Sequence, residues 1–402
     1  MTEHGTTLIE FGDAALRTGE TAAVSLHAHT GCSKEGMKDV SRYFERIPIV
    51  SRFVRRELDS YARRNNEAVD FTRGWWHPPV DAESVLASEV SQIAHRLGLA
   101  AMVSITDHDT IEGGLELQRG SDNAVVPISC EWTVPFCNGF FHLGVHNLPA
   151  RNAKKMFAQL SSHTQDPRPG ELSQLLNALH ADPEILIVFN HPLWDLADVG
   201  AANHVRLIRA FLLKHGDAIH ALEVNGYRAW HENMAVHALQ QQYALPLISG
   251  GDRHGCAPNA LLNLTTARSF GAFAREIRER RESRILVMPE YRTSLVARKL
   301  ATATEAMKPH PEYVGRECWT DRVGYAQDGV ARALSVKWPC GGPLWVRAAI
   351  AAFRLAASQP LRPLLRLVVW WAGVSRSHDP GPASYLAAPP ATTAARAPQE
   401  LV

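Results

Sequence analysis

Seven short stretches of this chain share one pattern, in which a β-like apolar run is followed by His, Asp, Glu or Asn. In chain order they are VSLHAHT (24–30), MVSITDHD (102–109), VVPISCE (125–131), FFHLGVH (140–146), LIVFNHP (186–192), ALEVN (221–225) and LISGGDRH (247–254). The end of a strand holds a polar side chain rigidly, and in a parallel barrel all such ends face one mouth. These nitrogen and oxygen donors suit Zn, Mn or Fe, so the pattern indicates a metal centre with hydrolytic chemistry.

The motifs differ in how specific they are. His27 and His29 are two apart on a strand, so both rings are expected on one side, within reach of one ion. The run TDHDTIEG (106–113) places two acids and a His in a strand-to-helix turn and is much more specific. Glu131 is expected to end the third strand, and the triplets NHP (190–192) and DRH (252–254) complete the set.

Strand-like and helix-like runs alternate from about residue 22 to 288, which predicts βαβ units and a parallel sheet. Helices are predicted over 82–97, 170–179, 205–215 and 229–243. The first has apolar residues at helical spacing, with Asp81 as its N-cap and Gly98 as its C-cap. Because ligand types end seven strands, a closed barrel is favoured over an open doubly wound sheet. No GxGxxG follows the first strand, which weakens a dinucleotide-binding interpretation.

Bulk composition narrows the class of protein. The chain has 402 residues, of which 46% are hydrophobic and 21% charged, enough for one large α/β barrel with additions or for two domains. A net charge of +1 gives no overall attraction to nucleic acid. The six cysteines form no CxxC pair, which is typical of free thiols in a reducing compartment. No signal-peptide pattern opens the chain, so a cytoplasmic location is expected.

Three segments lie outside the repeating pattern. An insert over about 34–79 contains aromatic residues and many arginines. It is expected to form one or two helices over the mouth of the barrel. These helices either pack against the barrel without a functional role or form a lid that shapes the substrate site. Residues 329–378 contain arginines and tryptophans but no Asp or Glu, and their apolar runs are too short to span a membrane. They are expected to lie at a membrane surface or to pack as helices on the barrel or another subunit. We predict a barrel over 1–295, a basic apolar helical extension over 296–376, and a disordered Pro/Ala-rich tail over 377–402.

In combination, HxHT, TDHDTIEG, the following Glu and His, NHP and GGDRH resemble the PHP domain, the polymerase and histidinol phosphatase superfamily, over about residues 22–290. The resemblance implies an α/β fold, namely a distorted seven-stranded (β/α)7 TIM-like barrel. It also implies two or three divalent ions, commonly Zn, Mn, Fe or Mg, and hydrolysis of phosphoesters. Carried over residue by residue, it implies nine metal ligands: His27, His29, Glu35, His108, Glu131, His142, His191, Asp252 and His254.

Two positions in this ligand set stay open. His146 is a rival for His142, because both residues lie on one face of the same strand. Family members often carry an acid where this chain has Lys34. Either the next residue, Glu35, takes over as ligand, or that metal site is altered and Lys34 contacts substrate phosphate instead.

Other residues are predicted to serve catalysis or substrate binding. Arg253 and Arg228 could neutralise phosphate charge, or else form surface salt bridges. Asp107 is expected to assist catalysis by orienting a ligand or holding the turn, and Asn225 to contact substrate or support the site with Glu223.

The favoured function is hydrolysis of a phosphate ester of a small metabolite or nucleotide by a metal-activated hydroxide. A 5′-end nuclease acting on short RNA or DNA is a second hypothesis, for which only the Arg-rich insert with Trp75 and Trp76 offers support. A metal-binding regulatory or scaffold module that docks at a membrane through 329–378 is a third. The sequence predicts no oligomeric state.

Overall fold

The computed structural model describes residues 6–11, 19–37, 48–66, 68, 70–120, 126–327 and 330–356. This part of the chain has a mixed α/β fold. Its strands are β1 (Thr6–Phe11), β2 (Ala22–Ala28), β3 (Glu35–Gly36), β4 (Gly74–Trp76), β5 (Ala100–Ile105), β6 (Ile128–Phe136), β7 (Gly139–Leu148), β8 (Leu186–Phe189), β9 (Ala221–Asn225), β10 (Leu247–Gly250), β11 (Leu261–Thr265), β12 (Glu282–Val287), β13 (Val323–Gln327) and β14 (Val330–Ala333). Its helices are α1 (Pro48–Asn65), α2 (Ala82–Leu97), α3 (Glu112–Gly120), α4 (Ala153–Gln165), α5 (Glu171–His180), α6 (Ala201–His215), α7 (Trp230–Tyr243), α8 (Phe270–Arg280), α9 (Leu295–Met307) and α10 (Leu344–Ala356).

All seven ligand-bearing motifs contribute strands, as the sequence predicts. They are distributed over two five-stranded sheets, one in the order β1-β12-β11-β2-β5 and the other in the order β10-β9-β8-β7-β6. Strands β2, β8, β9 and β10 are buried along their whole length, which explains why they read as continuous apolar runs. Helix α2 begins and ends where predicted, with the Asp81 carboxylate accepting from the Ser84 N–H and Gly98 in the left-handed conformation.

Strand direction departs from the prediction of a parallel sheet. Strands β8, β9 and β10 pair in parallel, as do β2 and β5, but β7 runs antiparallel to both β6 and β8. The reason is a two-residue connection, Cys137–Asn138, which can join only antiparallel strands. The Asn-Gly pair at 138–139 is a hairpin signal that the sequence analysis missed.

The two large sheets meet at two isolated parallel bridges, one between Ala28 and Arg253 and one between His108 and Glu131. Backbone hydrogen bonds support both, such as that from the Asp109 N–H to the Glu131 carbonyl at 2.9 Å. Strand β2 thereby approaches the end of β10, and the end of β5 approaches β6. The described residues form no continuous closed sheet, so the predicted TIM-like barrel is not confirmed.

A third, four-stranded sheet in the order β14-β13-β4-β3 joins the insert to the C-terminal extension. Glu35 pairs with Trp76, and Trp76 pairs on its other side with Val323. The insert thus contributes two strands besides helix α1, and the extension contributes two strands besides helices α9 and α10. Residues 38–47 of the insert, and 357–402 with the predicted tail, lie outside the described residues. Among the helices that are described, none has the length and apolar character needed to cross a membrane.

Because this third sheet depends on close packing at Gly324, we predict that Gly324→Val destabilises the protein. A Cβ at Gly324 would lie 2.4 Å from the indole of Trp75, whereas a Cβ at Gly36, in the same sheet, would meet nothing within 4 Å. Overpacking of this kind costs about 1–3 kcal/mol. Urea unfolding should show that loss for Gly324→Val and almost none for the control Gly36→Val. Equal stabilities of the two variants would contradict the packing.

Candidate metal centre

The carboxylate of Glu131 lies at the centre of a cluster of imidazoles. Glu131 does not end its strand as predicted, because β6 continues in the hairpin with β7 as far as Phe136. The side chain is fully buried, and both of its oxygens face histidine nitrogens. Around Oε2 lie His27 Nε2 at 3.2 Å, His29 Nε2 at 3.4 Å and His108 Nδ1 at 3.1 Å, and around Oε1 lie His142 Nδ1 at 3.3 Å and His191 Nε2 at 3.0 Å.

Two further carboxylates extend the cluster. Asp252 Oδ1 lies 3.7 Å from His27 Nε2 and 3.5 Å from His29 Nε2. Glu35 Oε2 lies 3.2 Å from His108 Nε2 and 3.1 Å from His254 Nε2. All nine residues that the resemblance implies as ligands therefore lie together in overlapping groups of donors. The groups are His29, Glu35, His108 and His254; His27, His29 and Asp252; His27, Glu131 and His191; and His108, Glu131 and His142.

Unpartnered atoms in the cluster fit divalent ions. Within the described residues, His27 Nε2, His29 Nε2, Glu131 Oε2 and His142 Nδ1 are buried without a hydrogen-bond partner. Such atoms are costly to bury unless something binds them. Two ligand atoms that are each about 2.1 Å from one ion lie about 3.4 Å apart in tetrahedral geometry. The nitrogen–oxygen separations around Glu131, 3.0–3.4 Å, match this spacing.

Charges inside the cluster depend strongly on one another. Burial lowers the pKa of His108, but the carboxylates of Glu35 and Glu131 outweigh burial and raise that pKa to about 10. Burial and the neighbouring His254 lower the pKa of His29 to about 3. Burial alone would raise the pKa of Glu35, but His108 and His254 hold it well below its usual value. The carboxylates therefore remain ionised, the state that binds cations.

Glu223 fixes the orientation of the His27 ring and the position of the His191 backbone. Its Oε1 lies 2.5 Å from His27 Nδ1, and its Oε2 accepts from the His191 backbone N–H at 2.8 Å. A Cβ at Gly250 would lie only 1.6 Å from Glu223 Oε1, so this position needs glycine. The Asn225 amide donates to Glu223 and Asp252, at 2.9 and 3.3 Å. Asn225 is fully buried, and these bonds agree with the supporting role that the sequence analysis offers beside substrate contact.

The backbone is unusual at three of the cluster residues. His27, His191 and Asp252 have φ values of 62°, 27° and 52°, in the left-handed region that non-glycine residues rarely adopt. His27 interrupts the register of β2 between Leu26 and Ala28. The rings of His27 and His29 are close, with centroids 5.1 Å apart, but this irregularity, not the simple alternation that we predicted, brings them together.

Strand direction decides between His142 and His146. Because β7 is antiparallel to its neighbours, the beginning of this strand lies at the cluster. His142 therefore faces Glu131, whereas His146 lies one layer deeper, with its Nδ1 2.8 Å from the Ser104 hydroxyl. Burial lowers the pKa of His146 to about 3, which keeps its ring neutral.

Lys34 and Glu35, the neighbouring residues whose roles the sequence left open, lie in different surroundings. Lys34 is exposed, and its Nζ lies 5.4 Å from the ring centre of Trp75, away from the donor groups. Glu35 is buried at the cluster and accepts from the Ser33 hydroxyl at 2.6 Å. Glu35 therefore lies among the histidines of the cluster, and the described residues show no contact of Lys34 with them.

Arg253 and Asp107, two residues predicted to serve catalysis, are bonded to other parts of the chain. The Arg253 guanidinium points away from the cluster and is buried, where it donates to Glu89 Oε1 at 2.7 Å and to the Gly255 carbonyl. Asp107 is buried as well, and its two oxygens accept from the backbone N–H and the hydroxyl of Thr30. Burial raises the pKa of Asp107 to about 7. Both residues hold loops that carry cluster histidines, which for Asp107 is the supporting role that the sequence predicts.

Arg228 lies near the cluster, as predicted, and a cationic residue missed by the sequence analysis lies beside it. Arg228 and His191 line one cavity, and the Arg228 guanidinium stacks on Trp194 at 4.3 Å. The missed residue is Lys299 in α9. Its position beyond the repeating βα pattern gave no signal, because a lone lysine in an amphipathic helix is usually solvated.

Comparisons with known proteins give little further guidance. No protein-family model matches the chain, and no curated protein does. Among solved structures, an amidohydrolase from Chromobacterium violaceum with bound sulfate and no metal is 15% identical, with a TM-score of 0.31, covering 58% of this chain and 87% of that one. A candidate metal-dependent phosphoesterase from Bifidobacterium adolescentis is 17% identical, with a TM-score of 0.28, covering 45% and 85%. Similarities this weak do not establish a shared fold.

We predict that Glu89→Gln destabilises the protein strongly. Glu89 is fully buried and carries the charge that balances Arg253, so the variant leaves a buried guanidinium without its counter-ion. Removal of one partner of a buried ion pair costs about 3–5 kcal/mol. Chemical denaturation should show this loss, whereas the control Glu83→Gln, at an exposed position of the same helix, should change stability by less than about 0.5 kcal/mol. A small effect at Glu89 would mean that Arg253 is free to act elsewhere.

Proposed function

We propose that this chain is a metal-dependent phosphoesterase of the PHP type, which hydrolyses a phosphate ester of a small metabolite or nucleotide. The observation that carries the proposal is the sharing of the buried Glu131 carboxylate among five imidazoles, with Asp252 and Glu35 at its edges. We further infer that β2 and β5–β10 form a distorted seven-stranded barrel that closes through the two isolated bridges.

Three groups of residues would hold the ions. We assign His27, His29 and Asp252 to the first, and His29, Glu35, His108 and His254 to the second. The third consists of Glu131 with His108 and His142, or of Glu131 with His27 and His191. Such mixed imidazole and carboxylate sets accept Zn, Mn or Fe. In this assignment, Glu35 supplies the acid that Lys34 does not, and it completes the second group of donors.

When bound, divalent ions in such a site lower the pKa of water and polarise phosphoryl oxygens. The chain's own residues supply position and charge. Glu223 holds the His27 ring in one orientation, and the Asn190 amide donates to Glu131 Oε1 at 2.9 Å. Arg228, held against Trp194, places positive charge at the edge of the cluster, where it attracts an anionic substrate. The positive charge of Arg228 at the edge of the cluster favours a phosphate ester over a neutral amide as the substrate.

The deciding experiment measures phosphate release by the full chain after loading with Mn or Zn. A panel should contain simple phosphomonoesters, nucleoside monophosphates and short 5′-phosphorylated oligonucleotides. We expect release from the small esters, its loss on chelation, and its loss in Asp252→Asn. Faster cleavage of the oligonucleotides would instead support a nuclease. Metal binding without hydrolysis of any ester would contradict the proposal and leave a metal-binding regulatory module at a membrane surface as the better hypothesis.

The assignment of ligands predicts different metal contents for two variants of one strand. His142→Ala should lower the number of ions per chain, measured by elemental analysis after dialysis, because this ring contributes a donor beside Glu131. His146→Ala removes a histidine from the same strand that bonds only Ser104 in the described structure, and it should keep the wild-type content. Circular dichroism should show that both variants are folded. Loss of metal from His146→Ala alone would reverse the assignment.

A further inference from the structure

Helix α9 crosses the rim of the cluster between the loops that follow β9 and β10. On one side, the Arg298 guanidinium donates to the carbonyl of Gly226. On the other side, Glu305 accepts from the backbone N–H of Cys256 at 2.6 Å, two residues after His254. The helix is therefore attached to both loops, and the side chains between these two attachments are held beside the site.

Lys299 lies between these two attachments. Its Nζ is 5.8 Å from the ring centre of Tyr227, and the Tyr227 ring is 6.0 Å from that of His254. In the part of the chain that the structure describes, the Lys299 ammonium pairs with no carboxylate. Burial, and after it the nearby charge of Arg228, lower the pKa of Lys299 to about 8, although Glu232 and Asp252 act in the opposite direction.

Arg228 is the second cation at this part of the rim. Its guanidinium lies over Trp194, whose ring is 5.1 Å from the ring of His191. One carboxylate, that of Glu232, fixes the guanidinium by an ion pair of 2.9 Å. Glu232 is bonded to Arg228, and within the described residues Lys299 makes no direct ion pair. Each cation lies against an aromatic ring, and that ring in turn lies near a cluster histidine. Neither cation belongs to the donor groups.

We propose that Lys299 and Arg228 form an anion-binding site beside the metal centre, which binds a second anionic group of a phosphate-ester substrate. The inference rests on the proposed function, because the scissile phosphoryl group is assigned to the metal centre itself. The preferred substrate is then a small molecule with two anionic groups, of which the second is a phosphate or a carboxylate. An ammonium and a guanidinium together suit such a group, since charge-assisted hydrogen bonds are the stronger kind.

The first test is independent of catalysis. The full chain, freed of metal by a chelator, is titrated calorimetrically with inorganic phosphate and, in parallel, with malonate. We expect Lys299→Met to weaken binding of the preferred anion at least about tenfold, the effect of losing one charge-assisted hydrogen bond. The control Lys308→Met, at the end of the same helix, should bind as the wild type does, and Lys299→Arg should retain most of the affinity. Preference for phosphate or for malonate identifies the second group.

The second test uses the metal-loaded protein with two substrates that differ by one anion, fructose 6-phosphate and fructose 1,6-bisphosphate. Lys299→Met should raise KM for the bisphosphate at least about tenfold, with little change in kcat or in metal content. Equal anion affinities of Lys299→Met and Lys308→Met in the first test overturn the inference. A wild type that binds phosphate through Lys299 but cleaves no ester overturns the proposed function alone, so the two failures are distinguishable.

Discussion

The carboxylate of Glu131 is buried in the middle of β6, with imidazoles from β2, β5, β7 and β8 or from the loops that follow them on all sides. Burial alone would raise the pKa of this acid and neutralise it. The charges of His27 and His108 outweigh burial and hold the pKa of Glu131 well below its usual value. An isolated charge at such depth would cost several kcal/mol, so the strands must deliver their histidines to this point. The two large sheets meet at this point through the isolated bridges.

Convergence on one carboxylate requires strain in the backbone. Left-handed conformations at His27, His191 and Asp252 cost about 1–3 kcal/mol each, and they persist only where the surroundings enforce them. Several contacts do so here. Glu223 binds the His191 N–H, and the Gly251 N–H donates to the Leu26 carbonyl at 2.9 Å beside the register shift. Backbone strain of this kind is common at functional sites, and its presence at three cluster residues agrees with the proposed role.

Sequence patterns predicted the existence of the elements better than their arrangement. All seven motif strands and the first βα helix with both caps were predicted, because apolar runs and capping residues are local signals. The direction of β7 was missed, since it depends on a two-residue turn whose Asn-Gly signal was overlooked. The bonding partners of Arg253 and Asp107 were not predicted, for a different reason. Adjacent residues of a motif can point to opposite sides, and the partners that reveal this, Glu89 and Thr30, are 164 and 77 positions away.

Glu35 shows how parts of the chain outside the repeating βα pattern become part of the site. It lies in a two-residue strand, which cannot hold a conformation by itself. Its register is set by Trp76, and that of Trp76 by Val323, so a segment nearly 290 positions away helps to position this acid. Arg322 strengthens the connection, because its buried guanidinium donates to the carbonyls of Ala306 and Lys308 at the end of α9. The helix that carries Lys299 and the sheet that carries Glu35 are thereby joined, so the extension acts on the metal centre and on its rim as one structural unit.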